Sequence, residues 1–388
     1  MLTADLRHAL LSAARRAGYP TPGDDPVLRP GGPPGRYVSN LPRRIATATG
    51  QDAVSVAAAL ATSLHPLPPV STATSAPPTP QAPSASAPPA HRTSSSLRTS
   101  PASLVPPAPL APLAPQPPSA TWISAATPDP SGFLLITVTD EALPNLAVRV
   151  AEAGPACSRS DALHGTTPAR PPAPRPGPWA GAHAQVLLQV TAALAGAAGA
   201  TVPVDYFENV PPPGVPTANE PDPVAAAIAF AGPEAIRYTL ARTPPERSAP
   251  PDPATAARHV EANPAYAVRY AYSCAASTLR WAADLGLSRG PAAEFRPGSL
   301  AHPRERALLD ALSWLPEQVA RAARRGRPHE FTAFLEELAE TYQVCRVACP
   351  AWPEQGDVVR ARLWLTGAVA AGLAAGLGLL GVSAPSRL

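Results

Sequence analysis

Glu261-Ala-Asn-Pro-Ala-Tyr-Ala-Val-Arg-Tyr-Ala-Tyr272 decides how the rest of this 388-residue chain is read. Asn263 offers a side-chain oxygen where the first turn of a helix leaves its N–H groups unpaired. Pro264 suits the first helical position, where no N–H is needed. With Gly286 placed as a C-terminal stop, a helix of about 22 residues is expected. Further on, Pro303 opens a helix striped by Leu308, Leu309, Leu312 and Leu315, interrupted at Pro316. It closes on Arg321, Arg324 and Arg325 before Gly326, where basic residues suit the helix dipole. Phe331, Phe334, Leu335, Leu338 and Tyr342 recur at helical spacing, and Glu336, Glu337 and Glu340 read as a solvated face. Residues 363–382 carry no charge and include Gly372-Leu-Ala-Ala-Gly376. Their length permits a membrane span. Half of them are Gly or Ala, and only Arg387 follows, so a buried terminal bundle helix is expected instead.

Toward the N-terminus the punctuation changes. Helices are expected at 2–17 and 52–64, the second capped near Gln51 or Asp52, with a turn-rich connection at 20–34. Residues 66–120 hold 17 prolines and no acid, which reads as a disordered, polyproline-like spacer or interaction segment. Residues 132–138 form a short β-rich run before the helix-start signature Thr139-Asp-Glu-Ala142. A Pro-rich break at 153–180, an alanine-rich helix at 185–200 and a Pro-interrupted stretch at 202–224 follow. The fold class expected is α+β: a small N-terminal α/β domain and a C-terminal all-α bundle, joined by Pro-rich disordered segments.

Composition excludes several chemistries. All 31 basic residues are arginine, so Schiff bases, Walker-type loops and lysine general bases are ruled out. The formal charge of +3 is too small to imply nucleic-acid binding by itself. Cys157, Cys274, Cys345 and Cys349 form no CxxC pair, and His164 and His329 lack spaced partners, so no metal is expected. No GxSxG motif or paired-carboxylate arrangement stands out. Without an apolar h-region after Met1, a cytoplasmic location is expected.

The quoted stretch resembles the ENPxYYVQYAHAR signature of arginyl-tRNA synthetases. Gly232-Pro-Glu-Ala-Ile-Arg-Tyr238 is similar to the segment that leads into that family's DALR anticodon-binding domain. His302-Pro-Arg-Glu-Arg-Ala-Leu-Leu309 resembles its HPxExxL helix start, and Leu379-Leu-Gly-Val-Ser-Ala-Pro-Ser-Arg387 its LLGVSAPERM ending. Gly35-Arg-Tyr-Val-Ser-Asn-Leu41, residues 52–64 and residues 132–138 look like the small domain that contacts the tRNA elbow in the family. Phe133 keeps an aromatic position there, and Leu135 replaces an asparagine. The resemblance implies an N-terminal domain at 1–65 and 121–152, an insert at 66–120, a degenerate remnant or linker of the synthetase core at 153–231, and an anticodon-binding bundle at 232–388.

A class I core of roughly 250 residues with two phosphate-stabilising motifs does not fit that gap. Pro178-Trp-Ala-Gly-Ala-His183 aligns with the family's PLHVGH, but Ala180 stands at the first histidine and a KMSKS loop needs lysine. His183 is read as a vestige, and adenylation as lost. The expected function is tRNA binding, of arginine type, by a catalytically degenerate, accessory or regulatory relative, with no cofactor. Candidate contacts are Tyr266, Arg269, Tyr270, Tyr272 and Arg280 on the signature helix, Tyr342 and Arg346 one turn apart on a later one, and Phe133. Two alternatives stand beside it. One is arginine-tRNA ligase activity, retained or assisting a full-length synthetase in trans, with ATP as cofactor. The other is a scaffold that binds another protein through the Pro-rich insert.

Overall fold

The computed structural model describes residues 2–20, 28–64, 122–174, 176–208, 222–247, 251–354 and 356–388; the insert at 66–120 lies outside them. Near the N-terminus come α1 (Leu2–Arg16), β1 (Leu28–Pro30), β2 (Arg36–Ser39), α2 (Leu41–Thr49) and α3 (Ala53–Leu64). After the insert follow β3 (Ile123–Pro128), β4 (Leu134–Val138), α4 (Ala142–Ala153) and α5 (Ala180–Ala197). Next are α6 (Pro223–Ala231), α7 (Pro233–Arg242), the single turn α8 (Pro253–Ala256) and α9 (Pro264–Asp284). The chain closes with α10 (Pro303–Ser313), α11 (Leu315–Arg325), α12 (Pro328–Ala348) and α13 (Asp357–Leu380). The α+β reading holds: a mostly helical chain with one small sheet.

The sheet is antiparallel in the order β1-β2-β4-β3, with Tyr37 opposite Ile136 and Pro128 opposite Leu134. Tyr37, Leu134, Ile136 and Val138 are buried on its inner face. At the β3–β4 turn Gly132 takes φ +80°, and a Cβ there would meet that of Ala53 at 2.5 Å, so the position requires glycine. β1, β2 and β3 fall where a turn-rich connection and unassigned residues were expected. Asp52 caps α3 as expected, accepting from Ser55 N at 2.8 Å. By contrast α4 begins at Ala142 with no side-chain cap from the Thr139-Asp-Glu signature.

The sheet and the bundle share one continuous core running from Leu2 to Val382. Leu2, Leu6 and Leu10 of α1 are buried, each stabilising by about 1.5–3 kcal/mol. Polar contacts fix how the pieces meet. Thr3 Oγ1 donates to the Ser313 carbonyl at 2.6 Å, and buried Arg7 reaches Asp161 and, at 3.4 Å, Glu317. The Tyr37 hydroxyl lies 3.3 Å from Asp310 and 3.2 Å from Ser313 Oγ, and Gly35 N donates to the same Asp310 oxygen at 3.2 Å. Burial holds the Asp310 carboxyl above its ordinary range. The Tyr37 ring also packs on Trp314 at 5.5 Å. Within the span read as a remnant or linker, α5 packs on α11 and α7 and buries Val190, Leu194 and Ala195. That part of the span is core, because its alanine-rich face is flat enough to lie against two helices.

α13 is the central element, packed on α4, α9, α10 and α12. It is long and apolar enough to cross a membrane, yet 72% of its apolar window is buried among these helices. Its glycines explain the small-xxx-small pattern. A Cβ on Gly367 would touch Ala151 of α4 at 3.5 Å, one on Gly372 would lie 3.0 Å from Leu312 of α10, and one on Gly376 would run into both methyls of Leu335 on α12. Each glycine costs about 1 kcal/mol of helix propensity relative to alanine, which the close approach offsets. The start of α10 is tied to the same helix. His302 and Glu305 form a reciprocal capping box, and the other oxygen of buried Glu305 accepts from Arg362 Nε at 2.7 Å.

Substituting Gly376→Val should lower the unfolding free energy by about 2 kcal/mol, because the fully buried Leu335 would have to shift within a packed core. Gly378→Ala, where nothing lies within 4 Å, should raise it by up to about 1 kcal/mol. Denaturant melts of the two variants check the contrast.

Candidate nucleic-acid interface

The signature motif builds an aromatic face at the start of α9. Asn263 is buried, and its Oδ1 accepts from Ala265 N at 3.2 Å. Its Nδ2 donates backward to the carbonyls of Ala256 and Arg258 at 2.9 and 2.8 Å. One side chain therefore caps the helix and also draws the preceding turn against it, which sets His259 beside the first turn of α9. The His259 ring lies 5.5 Å from Tyr266 with planes 13° apart, and Tyr266 lies 5.6 Å from Tyr270 with planes 10° apart. The three near-parallel rings form a stack along the helix surface. The opposite face, with Ala265, Val268, Ala271 and Ala275, is buried in the bundle.

Arg346 of α12 borders this face. It is exposed, hydrogen-bonds the Gln343 amide oxygen, and its charge acts on the Tyr270 phenol. A hydrogen bond with Cys274 is the larger influence there and raises the Tyr270 pKa. Three planar rings edged by a guanidinium are what unstacked bases and their phosphates bind, because every base has a π-face and every nucleotide an anion.

The other expected contacts lie elsewhere. Tyr342 is 3% exposed, so its ring belongs to the core; it is one turn from Arg346, but α12 packs against α9 on the side that carries the tyrosine. Tyr272 is half-buried and packs on the same core. Arg269 faces Glu234 at 3.5 Å, and Glu234 also accepts from Ser383 N and Oγ at 2.8 Å. Arg280 donates to the Ser386 carbonyl at 2.9 Å and to Ser277 Oγ at 2.7 Å. These two arginines, with Ser273 Oγ donating to the Pro385 carbonyl at 2.6 Å, lay the C-terminal residues along α9 rather than facing solvent freely. Phe133 stands at the β3–β4 turn, one residue before β4, with Arg43 of α2 stacked over it at 4.9 Å.

His183 is 5% exposed and sits 3.0 Å from the Thr243 carbonyl through Nε2, a packed position. Among the described residues, His, Cys, Asp and Glu form no cluster of three that could hold a metal ion. Sequence reasoning passed over His259, which precedes the helix and joins the stack only through the Asn263-held turn. It also passed over Trp281, 58% exposed and eleven residues beyond Tyr270, a spacing that returns to the same helix face.

Burial lowers the His183 pKa, and that of His329 as well. Both histidines thus take up protons more readily when unfolded, so stability is full above the ordinary histidine range and is lost as pH falls through it. His183→Gln, which keeps a donor for the Thr243 carbonyl, should flatten the decline in unfolding free energy between about pH 7 and 5. An unchanged decline in urea melts across that range would remove His183 as its source.

The chain is 39% identical over 165 residues to the protein named Arginine--tRNA ligase of Paenarthrobacter aurescens (strain TC1), covering 42% of this chain and 30% of that protein. To the protein of the same name from Kineococcus radiotolerans it is 41% identical over 161 residues, covering 40% and 29%. The chain thus spans under a third of the length of these relatives. A solved Thermus thermophilus arginyl-tRNA synthetase aligns over 53% of this chain and 32% of its own, at 26% identity and a TM-score of 0.36. Residues 268–388, which hold most of α9 and all of α10 to α13, match the family model of the DALR anticodon binding domain.

Proposed function

We propose that this chain binds tRNA of the arginine type through its anticodon loop, acts in an accessory or regulatory role, and does not itself activate arginine. The observation that carries the reading is the His259, Tyr266 and Tyr270 stack with Arg346 at its edge, on and beside the helix that enters the matched anticodon-binding domain. Single-stranded loops present base faces and edges that an A-form helix hides, so a short stack of rings on a rigid helix suits them. The named activity of the relatives supports arginine-type tRNA as the ligand.

Loss of activation is supported by chemistry and by topology. A chain with no lysine lacks the mobile ammonium groups that such ligases place on the transferring phosphate. The sheet among the described residues is a small antiparallel one, whereas nucleotide crevices of the class I kind form at the carboxyl ends of parallel strands. Phe133, at the β3–β4 turn with Arg43 of α2 over its ring, is a candidate second contact for the same RNA.

Filter binding at several salt concentrations tests the reading. Arginine-type tRNA should bind more tightly than unrelated RNA of equal length, and Tyr266→Ala and Tyr270→Ala should each weaken it about tenfold, as expected for a lost stacking platform. Equal affinity for unrelated RNA would overturn the assignment. The purified chain should also give no arginine-dependent pyrophosphate exchange, and exchange by the chain alone would refute the loss of activation.

A further inference from the structure

We infer that the cleft between α9, α12 and α13 is a second base pocket, taking one unstacked base and its phosphate from the RNA strand that lies on the His259, Tyr266 and Tyr270 stack. The inference rests on the proposal that this face binds RNA. The cleft has a volume of about 150 Å³ and is lined in part by Thr278, Trp281, Arg346, Trp352 and Arg362. Sites that enclose a whole drug-sized ligand or cofactor measure about 300–1,000 Å³, so this one fits a fragment the size of a base.

Three features set its occupant. Trp281 lines the cleft while remaining 58% exposed, so its indole face is available for stacking. It stands three helical turns beyond Tyr270 on one face of α9, about 16 Å along the axis. A strand stacked at about 3.4 Å per nucleotide covers that distance in about five nucleotides, and an extended one in fewer. A strand resting on Tyr270 therefore delivers a later base of the same loop to Trp281.

Arg346 joins the two places, since its charge acts on Tyr270 and its side chain lines the cleft. Its hydrogen bond goes to the uncharged Gln343, leaving its positive charge available to a phosphate. Arg362 is held deeper in, by Glu305 at 2.7 Å and the Pro350 carbonyl at 2.8 Å, with Glu354 at 3.5 Å from it. The two carboxylates neutralise Arg362, so the phosphate contact falls to Arg346 at the rim and the base to the indole.

The test uses the full chain and an arginine-type anticodon stem-loop, together with a series carrying one abasic site at each loop position. Wild type should lose about tenfold affinity at the position that meets Trp281. Trp281→Ala should bind the intact hairpin about tenfold more weakly and become indifferent to that abasic site, while keeping its sensitivity at the positions read by Tyr270. Tyr270→Ala should show the converse pattern. Arg346→Gln should reduce the salt dependence by about one ion. A Trp281→Ala variant with the wild-type abasic profile, whether at full or uniformly reduced affinity, would overturn the pocket while leaving the RNA face standing. No binding of any hairpin by the wild type would instead bring down the RNA reading, and the pocket with it.

Discussion

The close approach of α13 to its neighbours is the constraint on which the rest of the molecule depends. Gly367, Gly372 and Gly376 face α4, α10 and α12 in turn, and each contact is at or inside the distance a side chain would occupy. Because α4 leads out of the sheet and α10 and α12 belong to the bundle, a single helix draws both into one core. The hydroxyl of Tyr37 can then meet Asp310 and Ser313, and Thr3 and Arg7 can reach α10 and α11. These polar joints contribute less free energy than the apolar burial around them, but they allow one arrangement of sheet on bundle, since each leaves a buried group unpaired if the register shifts.

The same helix positions the proposed RNA face. α9 packs on α13 along its alanine side, which leaves Tyr266 and Tyr270 half-buried at the surface of the bundle. Beyond α13 the last residues return across α9, held by Glu234, Ser273 and Arg280. Other arginines are engaged by internal contacts. Arg237 binds the Leu380 carbonyl and Gln189, Arg242 binds Glu336, and Arg362 binds Glu305. Arg346 stands at the edge of the proposed RNA face, where the stacked rings would supply affinity and the guanidinium would add phosphate neutralisation.

Asn263 shows how one residue can serve fold and site together. As a cap it is worth about 1 kcal/mol. The two hydrogen bonds from its Nδ2 fix the turn that carries His259 and complete the stack.

The sequence alone determined the helices of the bundle, their starts at Asn263 and His302, their stops at Gly286 and Gly326, and the burial of α13. Caps, prolines and apolar spacing act over a few residues, and so they are written locally. It also set the spacing that puts Tyr266, Tyr270 and Trp281 on one face of α9. Tertiary structure alone decided which candidates remain open. Tyr342 and Arg346 share a helix turn, but contact with α9 buried the first and left the second at the rim; Arg269 and Arg280 were claimed by the returning C-terminal residues. β1, β2 and β3 were not legible because three to six residues between prolines and glycines gain their stability from cross-strand partners distant in sequence. Local spacing says what a helix can present, and only the neighbours packed against it decide what it does present.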